Sequence, residues 1–358
     1  MRTDDLDYEL DPTLVATRPV EPRDAARLMV VPADGAPPEH RRVRDLPELL
    51  RAGDALVINR TRVVPARIHL RRASGGVLEG LVLPPEAPGR IACLLKGARR
   101  LREGEALELR GPEDRVVGVL EVLGREGDQV LLGIVEGGSI DALLEAAGTV
   151  PLPPYILGAR RERPDDGLDA FDARDRAWYR TVYQAADSTQ RSVAAPTAGL
   201  HFTPGLLESI EARGVHVVPV ELEVGPGTFK PVATDRLEDH PMHRERYVVE
   251  EAARERLHQV RASGGRLLAV GTTTCRVLES LPDRLRGPTL AAETGLLIAP
   301  GHVFRHVDGL LTNFHLPRST LLALVAARIG LERLREVYIQ AIAHRYRFYS
   351  YGDAMLVP

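Results

Sequence analysis

The sequence predicts an α/β protein, a main α/β domain with an inserted all-β, barrel-like domain. Three observations predict it. From about Ala66 to Gly138, short β-prone runs recur between tight turns. From Pro204 onward, helical and strand-like segments alternate. The chain also has 358 residues, too many for one ordinary core. The expected division is 1–61 plus 150–358 for the α/β domain and 62–149 for the insertion.

Taken in order, the segment up to about Asn59 is expected to join the α/β domain. The β-prone runs follow: Ala66–Leu70, Val77–Leu83, Ile91–Lys96, Ala106–Arg110, Val116–Leu123 and Val130–Val135. Turn chemistry such as Ala73-Ser74-Gly75-Gly76 and Arg125-Glu126-Gly127-Asp128 separates them, as in small barrels and sandwiches. Ile140–Ala147 has a helical pattern, and Pro151-Leu152-Pro153-Pro154-Tyr155 reads as a stiff extended linker. Thr203-Pro204 is a helix start, with a hydroxyl cap and then a proline whose missing N–H costs nothing. That helix stops at Gly214, and Val215–Val224 reads as a strand. Glu250–Ala262, Thr273–Ser280, Thr320–Ile329 and Leu331–Arg345 read as helices, and Arg266–Val270 as a strand.

Composition narrows the class. With 44% hydrophobic and 27% charged residues, the chain reads as a soluble globular protein. No apolar run is long enough to span a bilayer, so no membrane association is expected. Met1-Arg2-Thr3-Asp4-Asp5 lacks the apolar core of a signal peptide. Cys93 and Cys275 are too few for a disulfide scaffold or a cysteine-only metal site. A cytoplasmic monomer without metal or prosthetic group is the expectation. The net charge of −3 excludes a globally basic nucleic-acid binder, but RNA needs only a local patch. Arginines cluster at Arg99-Arg100-Leu101-Arg102 and at Arg160-Arg161-Glu162-Arg163, among other places.

The richest stretch for chemistry is Ser192–Thr203, a loop of small residues ending in His201 just before a helix start. Small side chains let a ligand approach the backbone. On these residues alone, a tight buried turn with a core histidine is an equal alternative. Gly271-Thr272-Thr273-Thr274 lies between a strand and a helix, where α/β proteins bind ligands and where N–H groups suit a carboxylate or ribose. Alternatively, the threonines merely cap the helix. His240-Pro241-Met242-His243-Arg244-Glu245 lacks zincin spacing and fits acid/base work better than a metal. Phe314, Phe348 and the nearby tyrosines offer stacking surfaces for a nucleobase, or plain core.

Together with Asp7–Leu10, Thr61-Arg62-Val63, Ala194–Thr203, Gly227-Thr228-Phe229, Thr312–Pro317 and Tyr346–Met355, these segments resemble one family nearly end to end. It is the S-adenosylmethionine:tRNA ribosyltransferase-isomerase (QueA) family of queuosine biosynthesis. The resemblance implies an α/β fold with an inserted β-barrel and S-adenosylmethionine as a ribosyl-donating co-substrate. It further implies transfer and isomerisation of that ribosyl group onto a 7-aminomethyl-7-deazaguanine at the wobble position of a tRNA anticodon stem-loop. The product is epoxyqueuosine-tRNA, with adenine and methionine released.

Such chemistry needs a base beside the sulfonium, donors for the departing adenine and a dry site. His201, His243, Glu245 and His315 are the acid/base groups in matching motifs. The expected substrate-binding residues are Thr197, Gly199, Glu223, Gly225, Gly227, Thr228, Gly271, Thr272, Thr273, Arg276, Thr312, Asn313, Phe314, Arg347 and Asp353. Arg99, Arg100, Arg102, Arg160 and Arg161 are the expected tRNA contacts.

The chain also departs from the family pattern. Thr-Leu-His-Val-Gly becomes Glu221-Leu222-Glu223-Val224-Gly225, and Tyr-Gln-Thr-Val-Tyr-Ala becomes Tyr179-Arg180-Thr181-Val182-Tyr183-Gln184. Arg60 replaces an aspartate and Arg191 a glycine. Two other readings stand beside the leading one. The first is a divergent member using the same donor on a different, small-molecule acceptor. The second is a non-catalytic tRNA-binding relative.

Overall fold

Apolar runs punctuated by turn residues fold into two main sheets. The computed structural model describes residues 1–83, 90–163, 174–185, 188, 191–225, 227 and 232–358. The chain opens with β1 (Arg27–Val30), β2 (Glu39–Arg42), the short helix α1 (Leu46–Leu49) and β3 (Ala55–Asn59). A two-residue strand, β4 (Arg62–Val63), leads into six strands: β5 (Arg67–Arg72), β6 (Val77–Val82), β7 (Arg90–Leu95), β8 (Ala106–Arg110), β9 (Val116–Glu126) and β10 (Gln129–Glu136).

These six close into a barrel in the order β10-β7-β6-β5-β8-β9. Their side chains alternate between solvent and a core that includes Leu70, Leu107, Leu109, Leu120 and Leu132. Register shifts between β9 and β10, at Leu131/Leu132 and Ile134/Glu136, supply local bends of the kind that help a small barrel curve. Helix α2 (Ile140–Ala147), capped by Ser139, packs on β9 and β5. Thr149 then bridges back to Arg67, N–H to carbonyl in both directions, at 3.1 and 2.8 Å.

Helix α3 (Pro154–Glu162) corrects the linker expectation. Only Pro151–Pro153 precede it, because Pro154 takes the first helical turn, where a missing N–H is harmless. After α4 (Asp175–Trp178) and β11 (Arg191–Ser192) come α5 (Pro204–Ala212), β12 (His216–Leu222), β13 (Glu245–Val249), α6 (Glu251–Ala262), β14 (Leu267–Val270) and α7 (Thr272–Ser280). The chain finishes with β15 (Leu290–Thr294), β16 (Gly309–Asn313), α8 (Thr320–Ile329), α9 (Leu331–Ala343) and β17 (Ala354–Val357). Thr203 and Ser319 cap their helices as the sequence predicts, accepting from Leu206 N and Leu322 N at 3.2 Å each.

The large sheet is mixed, in the order β15-β13-β12-β3-β14-β16-β17-β1-β2. Its centre, β12-β3-β14-β16, is parallel. These strands are largely buried, which explains the continuous runs Ala55-Leu56-Val57-Ile58 and Leu267-Leu268-Ala269-Val270. Asp54 pins the entrance to two of them by accepting from Arg266 Nη2 at 2.7 Å and from Arg266 N at 3.1 Å. Among the described residues, no helix is long and apolar enough to cross a membrane.

Candidate active site

The site is built where the parallel centre of the sheet ends. Gly271 follows β14 with φ +89° and ψ 155°, a region essentially closed to side chains. This backbone lets the chain turn straight into α7, so the N-terminal amides of α7 lie beside a cavity. Thr274 Oγ1 bonds back to the Val270 carbonyl at 2.8 Å. The hydroxyl of Thr273, by contrast, is buried without a hydrogen-bond partner. At the other end of α7, Glu279 accepts the backbone N–H groups of Arg305, His306 and Val307 at 2.9–3.0 Å and so fixes the helix.

Two adjoining cavities of about 360 and 540 Å³, mouths included, share Thr272, Thr273 and Leu321 in their walls. The smaller is bounded by Pro196, Thr197, Gly271, Thr312, Asn313 and His315, among others. The larger is bounded by Gly227, His240, His243, Glu245 and Arg276 on one side and by Leu296, Leu297 and Ile298 on the other. Their walls are mainly apolar with a few convergent polar groups, the character of a small-molecule site.

Residues Thr197–His201 form a tight 3-10 turn beneath the smaller cavity, with His201 buried. Gly199 is needed there because a Cβ would sit on the Tyr183 hydroxyl. Asn313 Nδ2 lies 3.2 Å from His201 Nε2 and 3.1 Å from the Tyr349 carbonyl. The carbonyl demands an N–H group, so the orientation of the amide is fixed and His201 Nε2 accepts. Asn313 Oδ1 is left buried and without a partner. His315 Nε2 shares a hydrogen bond with Thr312 Oγ1 at 2.7 Å, and the backbone N–H of His315 donates to the Tyr338 hydroxyl at 2.8 Å. Burial drives both imidazoles down to about 3, with the Arg347 and Arg23 charges adding to the effect at His201. Both are therefore neutral at physiological pH.

In the larger cavity, Glu245 accepts from Gly225 N at 3.2 Å and from Arg276 Nη1, while Arg276 Nε donates to the Leu296 carbonyl at 3.0 Å. The ring of exposed His243 lies over Gly227. Glu223, half-buried, has its carboxyl raised by burial, opposed in part by the Arg246 charge, with the Glu245 charge adding the smallest effect.

Other expected residues lie elsewhere. Thr228 is outside the described residues. Phe314 is fully buried among Tyr338, Tyr346 and Phe348, with ring centroids 5.1–5.6 Å apart, so it is core and not a stacking platform. Asp353 accepts the N–H groups of Arg27 and Arg347 at 3.0 and 2.8 Å and is 2% exposed, which makes it a backbone pin. Arg347 itself reaches the Arg18 and Tyr351 carbonyls. Arg160 corrects the tRNA-contact expectation. It is 2% exposed, and its guanidinium holds both oxygens of Asp175 at 2.7–2.8 Å as well as the Thr17 carbonyl. Arg99, Arg100, Arg102 and Arg161 are exposed. The apolar wall Leu296–Ile298 carries no signal in the sequence that separates it from core.

Two departures from the family pattern turn out to be each other's partners. Arg60 Nε bonds Glu221 Oε1 at 2.9 Å and also reaches Glu250. Arg191 pairs with Asp141 of α2 at 2.7 Å.

Known proteins resemble this chain over nearly its whole length. The family model described as "Queuosine biosynthesis protein" matches residues 3–357. The S-adenosylmethionine:tRNA ribosyltransferase-isomerase of Anaeromyxobacter sp. (strain Fw109-5) is 47% identical over an alignment of 363 residues, spanning 100% of this chain and 99% of the relative. The protein of the same name from Methylobacterium radiotolerans is 47% identical, over 100% of this chain and 98% of its own. The crystal structure of S-adenosylmethionine tRNA ribosyltransferase from Thermotoga maritima superposes with a TM-score of 0.53 at 33% identity, covering 99% of this chain and 100% of that one. With a family model matching almost every residue and relatives of this similarity over their full length, the chain belongs to the queuosine biosynthesis protein family.

Proposed function

We propose that the protein transfers and isomerises the ribosyl group of S-adenosylmethionine onto 7-aminomethyl-7-deazaguanine at the wobble position of a tRNA, leaving epoxyqueuosine and releasing adenine and methionine. The observation that carries this reading is the pair of unpartnered buried polar atoms, Thr273 Oγ1 and Asn313 Oδ1. Both residues line one cavity at the N-terminus of α7. Buried polar atoms without partners are rare in folded proteins, and a polar ligand would satisfy them.

The donor spans the two cavities, with its carboxylate at the α7 amides, where the helix dipole favours negative charge. His243, on the open side of the larger cavity, exchanges the proton removed beside the sulfonium. Glu245 is tied to Arg276 and to the Gly225 amide, and it sets the shape of that cavity. His315 meets the substrate as a neutral hydrogen-bonding group. His201 acts through Asn313 as a positioning residue, because its lone pair holds the amide together with the Tyr349 carbonyl. The unit 62–149 is read as an inserted domain, and Arg99, Arg100, Arg102 and Arg161 as phosphate contacts.

Labelled S-adenosylmethionine incubated with and without precursor-bearing tRNA tests the reading. Adenine release that depends on the precursor tRNA is expected. Release without RNA would point to a small-molecule acceptor, and tRNA binding without turnover to a non-catalytic binder.

A further inference from the structure

A second, more polar cleft of about 580 Å³, mouth included, opens between β4 and the segment 176–184. Its walls carry Arg62, Glu145, Arg176, Tyr179, Arg180 and Gln184. One of its three guanidiniums is already engaged. Arg176 Nη1 holds Glu145 Oε1 at 2.9 Å, and Nη2 holds the Gly148 carbonyl at 2.9 Å. Arg62 and Arg180 are exposed, and no described carboxylate pairs with either.

The backbones beneath these two arginines are tied down. β4 pairs with β11, Val63 N donates to Gln184 Oε1 at 3.2 Å, and the Arg180 carbonyl accepts from Arg23 Nη1 at 2.7 Å. Two cations without a carboxylate partner among the described residues therefore stand on a fixed frame in a concave polar site. Such an arrangement suits a doubly coordinated oxyanion. Arg60 and Arg191 also depart from the family pattern, and both pair with carboxylates, whereas Arg180 meets none among the described residues.

Position favours RNA over a free anion. Beyond the cleft wall, Tyr183 lies against Gly199 in the turn below the donor cavity. Strand β11, paired to β4, runs on through Val193 and Ala194 to Ala195, which lines that cavity. We propose that this cleft binds a phosphodiester of the acceptor tRNA, held between Arg62 and Arg180. The proposal rests on the reading that the acceptor is tRNA.

The test uses the full chain with Arg62→Gln and Arg180→Gln combined, and Arg180→Gln alone in case the double variant fails to fold. tRNA affinity is measured between about 50 and 200 mM salt, where phosphate contacts dominate the dependence. The double variant should bind tRNA about tenfold more weakly at the low end, with a salt slope reduced by about 1. The single variant should show a smaller loss in the same direction, and S-adenosylmethionine binding should not move. Inorganic phosphate is titrated in parallel. Phosphate binding that the substitutions abolish while tRNA affinity and slope stay unchanged would make this a free-anion site and overturn the proposal. Equal tRNA binding by wild type and variants overturns the cleft while leaving the acceptor reading intact. A wild-type protein that binds no tRNA overturns both.

Discussion

Asn313 and His201 are coupled: the amide nitrogen reaches His201 Nε2 at 3.2 Å and the Tyr349 carbonyl at 3.1 Å, and the amide oxygen of this cavity-lining residue is left unpaired. Such coupling requires a neutral imidazole, since a protonated one has no lone pair to accept with.

That requirement gives a pH prediction. His201 and His315 titrate at about 3 in the folded protein, against an ordinary value of 6.5. Between these values the unfolded chain takes up protons that the folded chain refuses. Acid therefore pulls the equilibrium toward unfolding, and above about 6.5 this effect vanishes. The melting midpoint should fall as pH drops from 7 toward 5, and His315→Gln should flatten that fall. Identical pH profiles for wild type and variant would show that the imidazole is not held neutral.

Glu223 should matter for the acceptor more than for the donor. A carboxylate that only accepts hydrogen bonds favours an aminomethyl cation. Glu223→Gln should lower turnover with precursor tRNA about 10- to 100-fold, the worth of one charge-assisted hydrogen bond. S-adenosylmethionine binding should stay near wild type. Unchanged acceptor KM and kcat, or an equal loss of donor binding, would count against this role.

The Arg60–Glu221 pair is expected to be a matter of stability rather than acceptor choice. Glu221 is 7% exposed at its side chain, so removing Arg60 strands a buried carboxylate. In a double-mutant cycle by urea unfolding, Arg60→Ala and Glu221→Ala should show a coupling of about 1–3 kcal/mol. Additive single effects would deny the partnership.

On the barrel, Arg99, Arg100 and Arg102 are exposed and have no described ion-pair partner. Reversing all three to glutamate should weaken tRNA binding and its salt dependence together. Unchanged binding would remove this patch from the interface.

How far the sequence speaks depends on which interactions are local. The barrel is legible because period-two burial and turn residues coincide, as along Ala106–Arg110. The caps at Thr203 and Ser319 are legible for the same reason, since donor and acceptor lie three residues apart. The grouping of His315, Thr312 and the Gly271–Thr273 turn is legible because each sits at the end of a strand or the start of a helix. Arg160 is misleading because its partner, Asp175, lies beyond α3 and nothing nearby marks the arginine as buried. Phe314 is misleading because a core ring and a stacking ring look alike until Tyr338 and Phe348 are seen against it.

The reciprocal bond between Arg67 and Thr149 has a consequence for how this architecture tolerates change. The chain leaves the α/β body and returns to it at adjacent points, so the body's strand order does not depend on the length of the excursion. The entropic cost of closing such a loop rises only with the logarithm of its length. Grafting a foreign barrel between these two residues, or shortening this one by a hairpin, would leave the threading of the nine-stranded sheet untouched. The barrel is in that sense a cassette, free to diverge while the order of the nine-stranded sheet stays fixed.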